Sequence, residues 1–268
     1  MSAPRVSIVI GGGRGIGAAT AVRMAARGDA VVIADAAADD PRLPYALATR
    51  ADLDATVAAA RAAHADPALI SSAVADATDE DALRAVVEEA ETRHGGVDGI
   101  VVTAGVIAGG VPLWEMPRAQ LEAVLAVDLH ATIAAARAGI PALLRRPAPR
   151  AGRFVAVAST AASRGLPMLA AYCAAKAGVV GLVRALAAEL RGSGVTANAV
   201  SPGSTDTPIL AESARLYDLP DAAAFALQQP LERLIDPDEV AAALVFLAGP
   251  DAAAITGADY VVDGGLSI

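Results

Sequence analysis

The sequence predicts one α/β domain built on a doubly wound parallel sheet, and three observations carry that expectation. Short apolar runs alternate with amphipathic stretches from end to end, the pattern of strand–helix–strand units in a parallel sheet. The composition is 55% hydrophobic and the mean hydropathy is +0.48, as expected when strands are covered by helices on both faces. A chain of 268 residues is long enough to bury one large core, and no repeat or low-complexity linker divides it.

The same numbers exclude several kinds of partner. A net charge of −9 and a pI near 4.8 argue against a surface for a phosphate backbone, so no nucleic acid is expected. The single cysteine, Cys173, rules out an internal disulfide and fits a reducing cytosol. With His64, His94 and His130 all distant in sequence, it reads as a small buried residue, not a nucleophile, and no metal-ligand spacing is present. No apolar run reaches about 18 residues without a charge and the start lacks a signal-like segment, so the expectation is cytoplasmic, with no membrane span.

In chain order, Val6–Ile10 reads as a strand entering Gly11-Gly12-Gly13-Arg14-Gly15-Ile16-Gly17, with a helix over 18–26 behind it. Glycines there permit positive φ and close backbone approach, and the helix N-terminus offers unpaired N–H groups to a pyrophosphate. The next strand, 30–34, ends in Asp35, at the distance of about twenty residues where a carboxylate accepts from a ribose diol. A carboxylate there repels a 2′-phosphate, which favours NAD over NADP, unless Asp35 merely opens a loop. Residues 36–51 are irregular, with Pro41, Pro44 and Tyr45, and precede a helix over 52–63 with Asp52 as N-cap. Ile70–Val74 is the third strand, with Asp76 at its end placed to reach the adenine edge.

Residues 79–92 follow as an amphipathic helix, 98–103 as the fourth strand, and Ala104-Gly105 as a turn beside the cofactor. A helical period over 115–144 carries Asp128 midway, and 154–158 is the fifth strand, followed by a helix over 172–190. The sixth strand, 195–200, ends in Ser201-Pro202-Gly203. Residues 205–229 are partly helical, broken by prolines 208, 220 and 230, before a helix over 238–247 and a last strand over 260–262.

The chemistry-bearing stretch runs from Ser159 to Lys176. Tyr172 and Lys176 are four apart in an Ala-rich stretch, so a helix puts them on one face, one turn apart. An ammonium there lowers a phenol pKa from near ~10, and the phenol can trade protons with a substrate oxygen. Ser159 stands at a strand's carboxyl end, facing the start of that helix. Taken alone, so short a pattern is more often a core tyrosine and a snorkelling lysine.

Taken together, G-G-G-R-G-I-G, Asp76, Ala104-Gly105, Ser159 with Y-C-A-A-K, P-G-S-T-D-T and I-T-G…V-D-G-G resemble the short-chain dehydrogenase/reductase family over nearly the whole chain. The resemblance implies a Rossmann-type domain, NAD as cofactor, Tyr172 as acid/base, Lys176 on the nicotinamide ribose, and Ser159 on the substrate oxygen. It also implies that Gly11, Arg14, Gly15, Ile16 and Gly17 hold the pyrophosphate and that Asp76, Ala77, Ala104 and Gly105 line the cofactor. Pro202, Gly203, Thr205 and Thr207 would line its nicotinamide end. Three positions depart from the pattern: Ile10 replaces a threonine, Val102-Thr103 replaces Asn-Asn, and Asp128 replaces the asparagine of the catalytic tetrad. That asparagine normally holds a water in the proton relay behind the lysine. Asp128 either does so with an added negative charge or is turned away.

A narrower resemblance lies in L-P-Y-A-L-A-T-R-A-D-L, together with A-G-V-I-A-G-G and S-P-G-S-T-D-T, to mycofactocin-coupled dehydrogenases. It implies a non-exchanging NAD reoxidised by mycofactocin. The 41 positions from Asp35 to Asp76 exceed the roughly 25 that a strand end, helix and next strand need at common loop lengths. The surplus is expected to cover the adenosine end of the cofactor, with Leu43, Tyr45 and Leu47 on the adenine; packing on a subunit or helix is the alternative. Family surfaces at 241–247, 260–262 and the helices around Asp128 and Lys176 imply a homotetramer. The substrate is expected to be a small apolar alcohol or ketone. A nucleotide-sugar epimerase needs polar groups for a diphosphate sugar, whereas 209–227 reads as mostly apolar, and an NAD-sensing regulator would not need Ser159, Tyr172 and Lys176.

Overall fold

A computed structural model describes residues 3–268. Seven strands, β1 (Val6–Ile10), β2 (Ala30–Asp35), β3 (Ile70–Val74), β4 (Gly99–Val102), β5 (Arg153–Val157), β6 (Thr196–Pro202) and β7 (Asp259–Val262), form one parallel sheet in the order β3-β2-β1-β4-β5-β6-β7. The helices are α1 (Gly15–Arg27), α2 (Arg50–Ala63), α3 (Glu80–His94), α4 (Arg118–Leu125), α5 (Ala131–Arg145), α6 (Ala170–Glu189), α7 (Pro208–Leu216) and α8 (Pro237–Leu247).

Strand alternation divides the core between two layers. Ile8, Ile10 and Val32 pack with Leu83, Leu143 and Val179 of α3, α5 and α6. Val9, Val31 and Ile33 face Met24, Leu53 and Leu244 of α1, α2 and α8. Each such fully buried side chain contributes roughly 1.5–3 kcal/mol relative to exposure. The strand order reverses between β1 and β4, so a crevice opens at the carboxyl ends of these two strands.

Four local details differ from the sequence expectation. The single helix over 115–144 is instead α4, a π turn over Ala126–His130, and α5. The wide turn carries Asp128 inward, leaving it 1% exposed. Asp52 is not the N-cap of α2: Thr49 is, its hydroxyl accepting from Asp52 N at 3.2 Å while Asp52 accepts from Thr49 N at 2.7 Å, a reciprocal capping box. β5 lies one residue earlier than the apolar run. Pro208 does not break a helix but starts α7, where its missing N–H has no intrahelical acceptor to lose.

Two helical stretches, Arg118–Arg145 and Ala170–Glu189, are long and apolar enough to match a membrane span by length and composition. In the fold each lays one face against the protein interior, and each supplies one member of a buried charge pair, Asp128 and Lys176.

Candidate active site

A cleft of about 820 Å³ runs along the carboxyl ends of the strands, and every site residue named from the sequence lines it. At one end β1 enters a tight turn in which Gly11 N and Gly12 N both donate to Ala34 O, at 2.8 and 3.0 Å. A Cβ at Gly17 would sit 2.0 Å from Gly11 O, so this position needs glycine for packing alone. α1 then begins with no side-chain cap and no acidic residue in its first turn. Its free N–H groups and positive end make an anion site.

Two threonines hold this turn, Thr103 of the departing Val102-Thr103 pair and Thr56, which no motif marks. Thr103 Oγ1 lies 2.9 Å from both Ile10 O and Gly11 O, and Thr56 donates to Gly13 O at 3.0 Å. Asp35 is fixed at the rim, accepting from Gly13 N at 2.8 Å and from Ala37 N at 3.0 Å. An uncapped helix end and a positioned carboxylate fit the pyrophosphate and ribose diol of NAD. Asp76 lies at the same end, accepting from Thr78 N and Oγ1 at 2.8 Å, with Ala77 buried beside it.

Residues 36–49 cross the cleft as a strap. Asp39 accepts from Leu47 N at 2.7 Å, and Arg14 donates to Ala46 O at 3.1 Å, tying the strap to the glycine turn. On the far side Ile107 N donates to Tyr45 Oη at 2.8 Å, and burial pushes that phenol above its ordinary range. Leu43 is buried with Val106, Ala123 and Val124, and Tyr45 packs on the same cluster. This corrects the expectation that both rest on the adenine: the loop after β4 and helix α4 cover them. Pro41, Arg42, Leu47 and Ala48 do line the cleft.

At the other end, Ser159 leaves β5 in extended backbone and caps a short turn, its Oγ accepting from Ala161 N at 3.1 Å. Lys176, one helical turn after Tyr172, is 3% exposed. Its ammonium donates to Val157 O at 3.2 Å, lies 3.0 Å from Asp128 Oδ1, and sits 5.7 Å from the Tyr172 ring centre. Asp128 Oδ1 also accepts from Val106 N at 3.3 Å, whereas its buried Oδ2 has no partner among the described residues. Asp128 is therefore not turned away. A Cβ at Gly105 would lie 3.1 Å from Asp128 Oδ1 and 3.5 Å from Lys176 Nζ, so glycine makes room for the pair.

Electrostatics at this end revise the sequence expectation for Tyr172. Burial pushes its phenol up; Lys176 and hydrogen bonding to Ser159 pull it down, Asp128 pushes it up again, and the net shift is upward. The negative charge behind the ammonium cancels part of its field. Burial also holds the Asp128 carboxyl above its usual range despite Lys176. Lys176 is drawn down by burial, but Asp128 and Tyr172 more than offset this and favour the ammonium.

Between the two ends, Pro202 and Gly203 close β6. Gln229, 1% exposed and unmarked by any motif, clamps the following loop: it accepts from Ser204 N at 2.9 Å and donates to Ser204 O at 3.3 Å. Thr205 donates to Gly203 O at 3.1 Å, and Thr207 donates to Thr205 O at 3.2 Å while accepting from Leu210 N at 3.3 Å to cap α7.

A family model described as enoyl-(acyl carrier protein) reductase matches residues 11–267. The chain is 38% identical over 267 residues to cis-4-hydroxycyclohexanecarboxylate dehydrogenase of Sinomonas cyclohexanicum, covering 98% of this chain and 96% of that protein. It is 36% identical over 265 residues to D-threitol dehydrogenase of Mycolicibacterium smegmatis, covering 98% and 93%. Among solved structures it is similar to carveol dehydrogenase from Mycobacterium avium in complex with NAD, with a TM-score of 0.91, 29% identity and 98% of each chain covered. With the glycine turn and the Ser159, Tyr172 and Lys176 constellation lining one cleft, the chain belongs to the short-chain dehydrogenase/reductase family and is an NAD-dependent oxidoreductase.

Proposed function

We propose that this protein interconverts a small apolar secondary alcohol and its ketone, with Tyr172 moving the proton at the substrate oxygen. The observation that carries this reading is the convergence of Ser159, Tyr172 and Lys176 in the one cleft that the glycine turn and Asp35 also line. NAD bound along the cleft supplies the hydride acceptor or donor. Ser159 offers its hydroxyl to the substrate oxygen and orients it. Tyr172 takes the alcohol proton as phenolate or returns it as phenol, and the Lys176 ammonium favours the phenolate. Asp128 holds that ammonium in place, and its free Oδ2 is a berth for the water of a proton relay. Gly11, Arg14, Gly15, Ile16 and Gly17 embrace the pyrophosphate, and Asp35 binds the adenosine ribose.

We further infer that the strap over 36–49 slows cofactor release and that mycofactocin reoxidises the cofactor in place. The Arg14 and Tyr45 anchors on either side of the cleft support this. A freely exchanging NAD is the second reading, favoured by the burial of Leu43 in protein, which leaves the strap's apolar residues needing no cofactor beneath them. Apolar faces on α4–α6, with exposed Tyr260 and Val261 in β7, support a homotetramer, and a cytoplasmic setting suits the lone cysteine. The test is mass spectrometry of the purified, denatured protein together with turnover of cyclic secondary alcohols. NAD(H) near one per chain, with turnover that needs an artificial electron acceptor, is the expected result. Fast turnover with free NAD alone selects the second reading, and no turnover of any alcohol or ketone overturns both.

A further inference from the structure

One part of the cleft lies beyond Tyr172, away from Asp35, where the walls come from the segment between Ser159 and α6, from α7, and from the 3-10 turn Ala222–Gln228. Leu166, Pro167, Ile209, Leu219 and Phe225 make this end apolar. Its hydroxyls are turned onto backbone: Ser213 donates to Ile209 O at 2.9 Å and Tyr217 to Pro167 O at 2.7 Å. Among the described residues, Arg164 is the one cation that lines it. The other cations of the cleft are committed elsewhere, Arg14 to Ala46 O, Arg42 to Asp40 and Lys176 to Asp128. No carboxylate lines this end, and among the described residues Arg164 forms no ion pair.

Arg164 is exposed at the rim of this end, and its main chain is held: its N donates to Thr160 O at 3.0 Å, and Cys173 Sγ donates to its O at 3.7 Å, tying the backbone to the turn after Ser159 and to the neighbour of Tyr172. Nη1 donates to Leu266 O, while Nε and Nη2 have no protein acceptor among the described residues. A guanidinium with a free edge matches the planar geometry of a carboxylate. In a chain of net charge −9, such a group also offsets the repulsion that an anionic substrate meets.

We propose that Arg164 is the anion-binding residue of the substrate site and that the alcohol carries a carboxylate on an apolar frame, at the end away from the carbinol carbon. The proposal rests on the alcohol–ketone reading above. The hydroxyl lies at Ser159 and Tyr172, the frame against Ile209, Leu219 and Phe225, and the carboxylate at Nε and Nη2 of Arg164.

The test compares 4-hydroxycyclohexanecarboxylate with its methyl ester, which differ in charge and little in shape. The acid is expected to have the higher kcat/KM in the unmodified protein. Arg164→Gln should lower that value by about 10–100-fold, chiefly through KM, as for loss of a charge-assisted hydrogen bond. The ester should change by less than about threefold, and Arg164→Lys should recover part of the loss. Preference of the unmodified protein for the ester, or equal losses for acid and ester, overturns the proposal. If neither alcohol turns over, calorimetric titration with 4-oxocyclohexanecarboxylate decides the anion site separately from the alcohol–ketone reading: binding weakened about tenfold or more by Arg164→Gln supports it, and unchanged or absent binding overturns it.

Discussion

Lys176 Nζ lies 3.0 Å from Asp128 Oδ1, with both side chains almost wholly buried. Removing one member of a buried pair leaves the other charge uncompensated, at about 3–5 kcal/mol. Asp128→Ala should therefore lower the unfolding free energy by about that amount in a denaturant titration. Asp128→Asn should cost less, because its amide oxygen still accepts from Lys176.

The same pair gives a pH prediction. The Tyr172 phenol stands above its ordinary value, with burial the largest cause and Asp128 adding to it. Alcohol oxidation needs the phenolate, so its rate should climb with pH into the alkaline range, and ketone reduction, which needs the phenol, should not. Asp128→Asn removes a charge that raises the Tyr172 pKa. The rising limb of oxidation should then move to lower pH, in a pH profile of kcat/KM. An unmoved limb means that the Asp128 charge is not felt at Tyr172.

Tyr172→Phe deletes the proton-transferring group and almost no surface. Alcohol oxidation should fall by about 10²–10⁴, with cofactor binding retained in a mass-spectrometric assay. Retention of more than about a hundredth of the rate removes Tyr172 from this role.

Asp35 accepts from two backbone N–H groups and faces the cleft. Asp35→Ala should weaken NAD and lessen the bias against NADP, read as the ratio of the two dissociation constants. Equal affinity of the unmodified protein for both cofactors contradicts the assignment.

Tyr45→Phe leaves the buried Ile107 N–H without its acceptor, at about 1–3 kcal/mol. If the strap gates the cleft, NAD should leave about 10–100-fold faster from this variant in a chase with excess unlabelled cofactor. An unchanged rate means that release does not pass through strap opening.

Much of the fold was legible because its signals are local. Alternating apolar runs mark strands buried on both faces, and all seven strands expected from them form. The glycine turn and Tyr172-x-x-x-Lys176 were legible for the same reason, since a tight turn and a one-turn helical spacing are set within a few residues. Other features depend on contacts between distant segments. The inward turn of Asp128 needs a π turn packed against Gly105 and Lys176, and no property of 126–130 alone requires it. The sign of the Tyr172 shift follows from that packing, because burial and a charge from another helix outweigh the neighbouring lysine. The anchoring of Leu43 and Tyr45 on α4 and the loop after β4, and the solitary position of Arg164, likewise arise only when the sheet brings residues far apart in sequence to one cleft. Sequence determined which elements form and which reactive groups stand at their ends; tertiary structure decided which of those groups share a field, because burial and charge act through space and not along the chain.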